Sequence, residues 1–360
     1  MAGKNATATE VQPKGLSALA GLYSGFGLPR LIIALFLLFL FGVAVVMKMD
    51  LTILISDSLV RIGMNGLLVL AMLPTLSCGV GLNFGLPVGV IAGLIGGVTS
   101  MNAGLRGFSG FLVAILISVP IAILAGYLYA MLLERVRGEE MMVGTYAGFS
   151  IVSLMCVFWL LAPYRNPALI FAIGGKGLRY TLSLSNMFAK VLNNFLAFRV
   201  LGITIPTGLL LFFAAFCVLT SLFFKSRGGL AMRTAGANPM FATSSGINVR
   251  AMRTTGIVLS TVLAAVGILV YAQSYGFLQL YTAPLYAAFP AVASILIGGA
   301  TLRNATVGHV VIGTILFHTL LTIALPVTQS AMPGADISEI ARMIISNGMI
   351  LYALTRTERR

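Results

Sequence analysis

Long apolar runs separated by short polar or glycine-rich stretches recur along the whole chain, and their length sets the first expectation. A helix needs about 20 apolar residues to cross a bilayer. Runs of that kind predict spans near residues 30–48, 62–80, 84–101, 108–134, 142–163, 205–224, 254–275, 285–300, 306–326 and 338–355. Uninterrupted runs argue against a membrane barrel, whose strands alternate apolar and polar positions over about ten residues. The expected fold class is all-α, a polytopic transmembrane helical bundle of about ten helices spanning 30–355, with a polar tail at 1–29 and a short C-terminus at 356–360.

Two stretches depart from the plain pattern. Residues 164–204 mix apolar and basic positions, and the part "SNMFAKVLNNFLAF" has helical spacing, so this segment is expected outside the bilayer, lying along its surface. In "SCGVGLNFGLPVGVIAGLIGG", Ser77 to Gly97, Gly79, Gly81, Gly85, Pro87 and Gly89 crowd the ends of two predicted spans. Such density frees backbone groups, which are tolerated at membrane depth only where protein or a water-lined cavity satisfies them. A broken helix near 79–90, beside a polar path, is one reading; a plain turn between helices is the other.

Composition agrees with the pattern: 59% of the 360 residues are hydrophobic, 9% are charged, and the mean hydropathy is +1.02. Soluble domains run nearer 45–50% apolar and about 25% charged. The net charge of +14 points to topology and away from nucleic acid, because the cations lie in loops. With an even number of spans both termini share a side, and that side collects 14 of the 23 Lys and Arg, including Arg135, Arg137, Lys225, Arg227, Arg233, Arg250 and Arg253. By the positive-inside rule it is cytoplasmic. Arg61 falls between predicted spans on the opposite, external side.

Candidate chemistry is sparse. Cys78, Cys156 and Cys217 stand in apolar stretches without metal or disulfide spacing and read as small core residues. The acids Asp50, Asp57, Glu134, Glu139, Glu140 and the rest are expected outside the spans or at their margins, so no carboxylate is left mid-membrane to couple a proton. His309 and His318 read as neutral core residues, with a proton relay as the sharper alternative. Trp159 and Tyr164 read as interfacial anchors. No phosphate loop or membrane-enzyme motif occurs, and no catalytic, cofactor-binding or metal residues are expected.

The loop "RTAGANPMFATSSGINVRAMR", Arg233 to Arg253, is the most specific stretch. Asn238 is placed to cap a helix, Pro239 suits its first position, and Gly246 suits the left-handed residue that ends it. Two turns of helix are marginal alone in water, so the segment needs a surface to rest on. Met240 and Phe241 either plug a groove in another protein or fold back onto the bilayer.

"GLAMRTAGANPMFATSSGINV", Gly229 to Val249, closely resembles the cytoplasmic coupling segment of the branched-chain amino acid and ribose-type ABC importer permeases, with Gly236, Asn238, Ala242, Ser245, Gly246, Ile247, Asn248 and Val249 at matching positions. "PAVASILIGGATLRNATVGHVVIGTIL", Pro290 to Leu316, resembles a late family block, although Arg303-Asn304-Ala305 replaces the usual glycine pair. "GLNFGLPVG" is similar to an early motif with Asn83 in its polar slot. The likeness runs over roughly residues 61–355.

The resemblance implies a permease domain at 30–355 with an external segment at 164–204 and a coupling loop at 225–253. Gly236, Asn238, Pro239, Met240, Phe241, Ala242 and Gly246 would dock on a separate cytoplasmic ABC ATPase that binds the ATP and Mg, so this chain would carry no cofactor of its own. A second copy or a sister permease, membrane lipid and a periplasmic or lipoprotein solute-binding protein are the other partners implied, in a bacterial cytoplasmic (inner) membrane. Asn83, Phe84 and Pro87, with Gly298, Gly299 and Asn304, are the candidates for the translocation path. The solute is expected to be small, neutral and polar, a ribose-like sugar first and a nucleoside or purine second. The reading from another class is an ion-coupled secondary transporter.

Overall fold

The structure, a computed structural model, describes residues 28–164, 166, 167, 169, 170, 177–302, 304–331 and 348. Residues 1–27 of the tail, the C-terminus, Arg303 and all of the tenth expected span but Gly348 lie outside the described residues.

The described chain is mostly helical. It opens with α1 (Leu28–Val46), α2 (Leu51–Leu70) and α3 (Met72–Ser77), then α4 (Pro87–Asn102), α5 (Gly107–Arg135) and α6 (Glu140–Leu161). A segment follows with β1 (Thr181–Ser183), the single turn α7 (Val191–Asn194), β2 (Phe198–Val200) and β3 (Ile203–Ile205). Next come α8 (Thr207–Lys225), α9 (Arg227–Ala237), α10 (Pro239–Ser244) and α11 (Val249–Tyr275). β4 (Phe277–Gln279), α12 (Ala283–Tyr286), α13 (Ala288–Ile297) and α14 (Val307–Ala331) complete it. Among the described residues, six stretches are long and apolar enough to cross a membrane: Leu51–Ser77, Gly107–Arg135, Glu140–Leu161, Thr207–Lys225, Val249–Tyr275 and Val307–Ser330. Arg30–Val46, Pro87–Asn102 and Ala283–Ile297 are shorter apolar helices.

The helices divide by what covers them. α2, α11 and α14 are largely buried within the chain, whereas α5, α6 and α8 turn much of their length outward. The outward side chains are apolar, among them Leu116, Leu124, Leu154 and Leu219, the surface a lipid-facing helix needs. α4 and α11 lie at the centre and pack through small residues, since a methyl group on Gly89 or Gly93 would overlap a carbonyl oxygen of α11. Close approach of this kind supplies the van der Waals contact that holds helices together where lipid is as apolar as leucine.

The second span begins eleven residues before the expected position 62. Asp50 starts it: its carboxylate accepts from the Thr52 amide at 2.9 Å and the Thr52 hydroxyl at 2.6 Å, and these bonds hold its carboxyl below the usual range. Asp57 and Arg61, which broke the apolar run in the sequence, therefore stand inside α2. Arg61 is not in an external loop, and Asp57 is not outside a span. Charges at membrane depth each cost about 2.5–3.5 kcal/mol on insertion scales. They persist where they face water or protein.

The helix break is present. α3 ends at Ser77, and the chain runs without regular structure until Pro87 opens α4. The Val80 and Gly81 amides both donate to the Thr75 carbonyl, at 3.1 and 3.3 Å, so the freed backbone is satisfied inside the protein.

The segment after α6 is not a surface helix. Within "SNMFAKVLNNFLAF" only Val191–Asn194 is helical, because Lys190 and Leu196 adopt left-handed backbone angles on either side. The segment is tied down instead: β1 pairs antiparallel with β4 (Thr181 opposite Gln279), and the Lys190 amide donates to the Gln273 carbonyl of α11 at 2.7 Å. Trp159 is fully buried beneath this segment rather than standing at a lipid interface, and its carbonyl accepts the Leu178 amide at 3.0 Å.

Candidate functional site

Opposite ends of α11 carry two different surfaces. At its first residue lies the expected coupling segment. The Asn238 side chain accepts from the Phe241 amide at 3.0 Å, Pro239 takes the first helical position, and Gly246 has φ +79°. Asn248 repeats the device for α11, accepting from the Ala251 amide at 3.0 Å. One side of α10 is held, with Ala242 buried, while Met240 is 83% and Phe241 60% exposed. Apolar side chains of that size on a capped helix of two turns form a projecting face.

The expected coupling segment touches the helix break directly. A Cβ on Gly236 would overlap the Ser77 carbonyl oxygen, and one on Gly79, whose φ is +77°, would lie 2.9 Å from the Gly236 Cα. Gly256 on α11 is equally close to Cys78. Two motifs more than 150 residues apart thus meet backbone to backbone, a contact that neither motif alone announces.

The other end of α11 borders a cavity of about 430 Å3, a size within the roughly 300–1,000 Å3 of small-molecule sites. Arg61 and Asn65 of α2 line it together with Tyr271 and Tyr275 of α11, Gln279, Tyr286 and His318. The Tyr271 and Tyr275 rings stack with centroids 5.7 Å apart. By the 1.5 Å rise per residue, about 30 Å of helix separates this cavity from the coupling segment. Asp57, Arg61 and Asn65 recur at every fourth residue, which is the signal in the sequence that could have revealed a polar face on α2.

None of the six residues expected on the solute path lines this cavity. Asn83 is buried, donates to the Ser260 hydroxyl at 2.8 Å and accepts from the Tyr129 hydroxyl at 3.2 Å. Ser260 donates in turn to the Ala71 carbonyl at 2.6 Å, so Asn83 ties the break to α5, α11 and the joint between α2 and α3. Asn83→Ala should therefore lower stability by about 1 kcal/mol, read as a reduced melting temperature of the detergent-solubilised protein; an unchanged value would remove that role. Phe84 packs on Phe289 at 6.1 Å between ring centroids, and Pro87 begins α4. Gly298 and Gly299 abut α14 and Arg30 respectively, and Asn304 lies in an exposed turn with Thr301.

Residues 54–354 match the family model described as the branched-chain amino acid transport system / permease component. The chain belongs to that family of ABC permeases. A 51-residue stretch of this permease is 51% identical to the nucleoside ABC transporter permease protein NupC of Lactococcus lactis subsp. cremoris, a match covering 14% of this chain and 16% of that relative's length. No solved structure matches the permease. Family membership gives the capped, projecting α10 and the cavity about 30 Å away a common context in a multi-pass membrane protein.

Proposed function

We propose that this permease is the membrane-spanning subunit of an ATP-driven importer, in which the cavity holds the solute and α10 receives the stroke of an ATPase. The observation that carries the reading is the pairing of the two surfaces on one stiff helix in a chain of this family. The chain binds no ATP itself; ATP and Mg belong to a separate cytoplasmic ABC ATPase, and an external binding protein delivers the solute to the cavity. Two permeases, identical or sister chains, face each other in a bacterial inner membrane, with both termini and α10 on the cytoplasmic side.

A nucleoside suits the cavity better than the ribose-like sugar that the resemblance puts first. Stacked tyrosine rings offer a platform for a planar base, and Asn65 and Gln279 offer amides for its polar edges. The relative that shares the 51-residue stretch is named a nucleoside permease. Phe84, through its contact with Phe289 beside the cavity wall, is the first of the expected path residues the solute would reach.

The test is uptake of labelled nucleoside and labelled ribose by cells with and without the permease. Nucleoside uptake that depends on the permease, persists when the proton gradient is collapsed and stops when ATP is depleted supports the reading. Ribose uptake alone would return the solute to a sugar, and uptake that follows an ion gradient would support the secondary-transporter reading.

A further inference from the structure

We propose that Arg253 is a positioning residue that carries movement of the coupling segment into the hairpin formed by α5 and α6. The proposal rests on the reading above that α10 docks on an ATPase, and it adds a route by which that docking reaches the rest of the bundle.

Arg253 stands in the early turns of α11, just beyond the coupling loop. Its Nε is 3.1 Å from Glu134 Oε1, at the end of α5, and its Nη2 pairs with Glu140 Oε1, at the start of α6. Glu134 also pairs with Arg137 at 2.6 Å, and Glu140 accepts the Gly138 amide of the intervening turn at 2.9 Å. The side chains of Arg253, Glu134 and Glu140 are only 13%, 6% and 12% exposed. On its backbone side, the Arg253 carbonyl oxygen is 3.9 Å from Cys78 Sγ, in the same break against which Gly236 is seated. One residue thus contacts the break through its main chain and the α5–α6 hairpin through its side chain.

The chemistry favours joint movement. Arg253 and the two carboxylates share a site with little water, with Arg137 reaching Glu134 from an exposed edge, and separating a buried pair there strands a charge that solvent cannot repay. The planar guanidinium reaches both carboxylates at once, whereas a lysine ammonium is a point charge that serves the two less well. If the ATPase displaces α10 and the first turns of α11, the hairpin must follow or the buried pairs must break. With these three ion pairs, which are those present among the described residues, the cytoplasmic ends of α5, α6 and α11 behave as one body.

The test compares wild type, R253K and R253M in the purified complex with its ATPase reconstituted into vesicles, reading solute molecules taken up per ATP hydrolysed. Arg253 is buried and lies off the projecting face, so both variants are expected to retain the ATPase. The ratio is expected to fall about threefold in R253K and about tenfold in R253M, since the shared fork is weakened in one and the charge removed in the other. If R253M fails to assemble, R253K carries the comparison. A wild-type ratio in R253K overturns the proposal, and so does failure of R253K to assemble, because either assigns the cluster to stability alone. A wild-type chain that holds no ATPase overturns the parent reading and this one together, whereas an intact complex with an unchanged ratio overturns only this one.

Discussion

Gly236→Arg is expected to abolish ATP-driven uptake, by about 100-fold or more, the upper range of coupling between distant sites, while the protein still inserts in the membrane. The reason is local. α9 ends with its backbone against Ser77 and Gly79, where even a methyl group on Gly236 would overlap the Ser77 carbonyl oxygen. The α9–α10 pair would have to lift off the break to admit any side chain, and it carries the projecting Met240 and Phe241 with it. Much of the chain's core, including α14 and the far half of α11, lies away from that contact, so insertion and yield should survive. The check is a comparison of uptake with membrane-extracted protein for wild type and variant; near-normal ATP-driven uptake would show that the seating of Gly236 on the break has no part in transport.

Gly313→Leu should have the largest effect on the fold itself. A Cβ on Gly313 would overlap the Ser294 carbonyl oxygen of α13, and one on Gly298 would overlap the His309 carbonyl oxygen of α14. The two helices therefore cross with main chain on main chain, and no flexible side chain is available to yield. Overpacking in a core commonly costs about 1–3 kcal/mol; against the fixed Ser294 carbonyl and the Gly298 backbone nitrogen the cost should exceed about 4 kcal/mol, the range in which single substitutions become exceptional. Size-exclusion profiles of tagged protein in mild detergent are expected to lose the monodisperse peak for Gly313→Leu. A wild-type profile would mean that α13 and α14 are not packed as described.

The same crossing shows where reading the sequence stops short. Gly298 and Gly299 are expected on the path, and in the structure they abut α14 and the Arg30 side chain; a glycine that admits a solute and one that admits a neighbouring helix are alike in sequence. The spans were legible wherever a long apolar run is uninterrupted by charge, as over α5, α6 and α8. They were not legible where a span carries charge: Asp57 and Arg61 interrupt the apolar run, so the start of α2 was placed too late and the polar face toward the cavity was missed. Capping was read correctly at Asn238, Pro239 and Gly246, since it depends on residues within one turn of each other. The contact of Gly236 with Gly79, the pairing of Arg253 with Glu134 and Glu140, and the burial of Trp159 depend on residues far apart in sequence, and no local pattern reports them.

The central claim is that α10 is a docking face for a partner that supplies the energy. The most direct test is to purify the tagged chain from its native membrane in mild detergent, as wild type and as Phe241→Asp, and to identify what accompanies each. Phe241 is 60% exposed and uninvolved in the core through its side chain, so the variant should fold and insert. The account predicts that an ATPase with phosphate-loop motifs accompanies the wild type and is lost from Phe241→Asp. An ATPase retained equally by both, or a wild-type chain that purifies alone and transports without ATP, would contradict it.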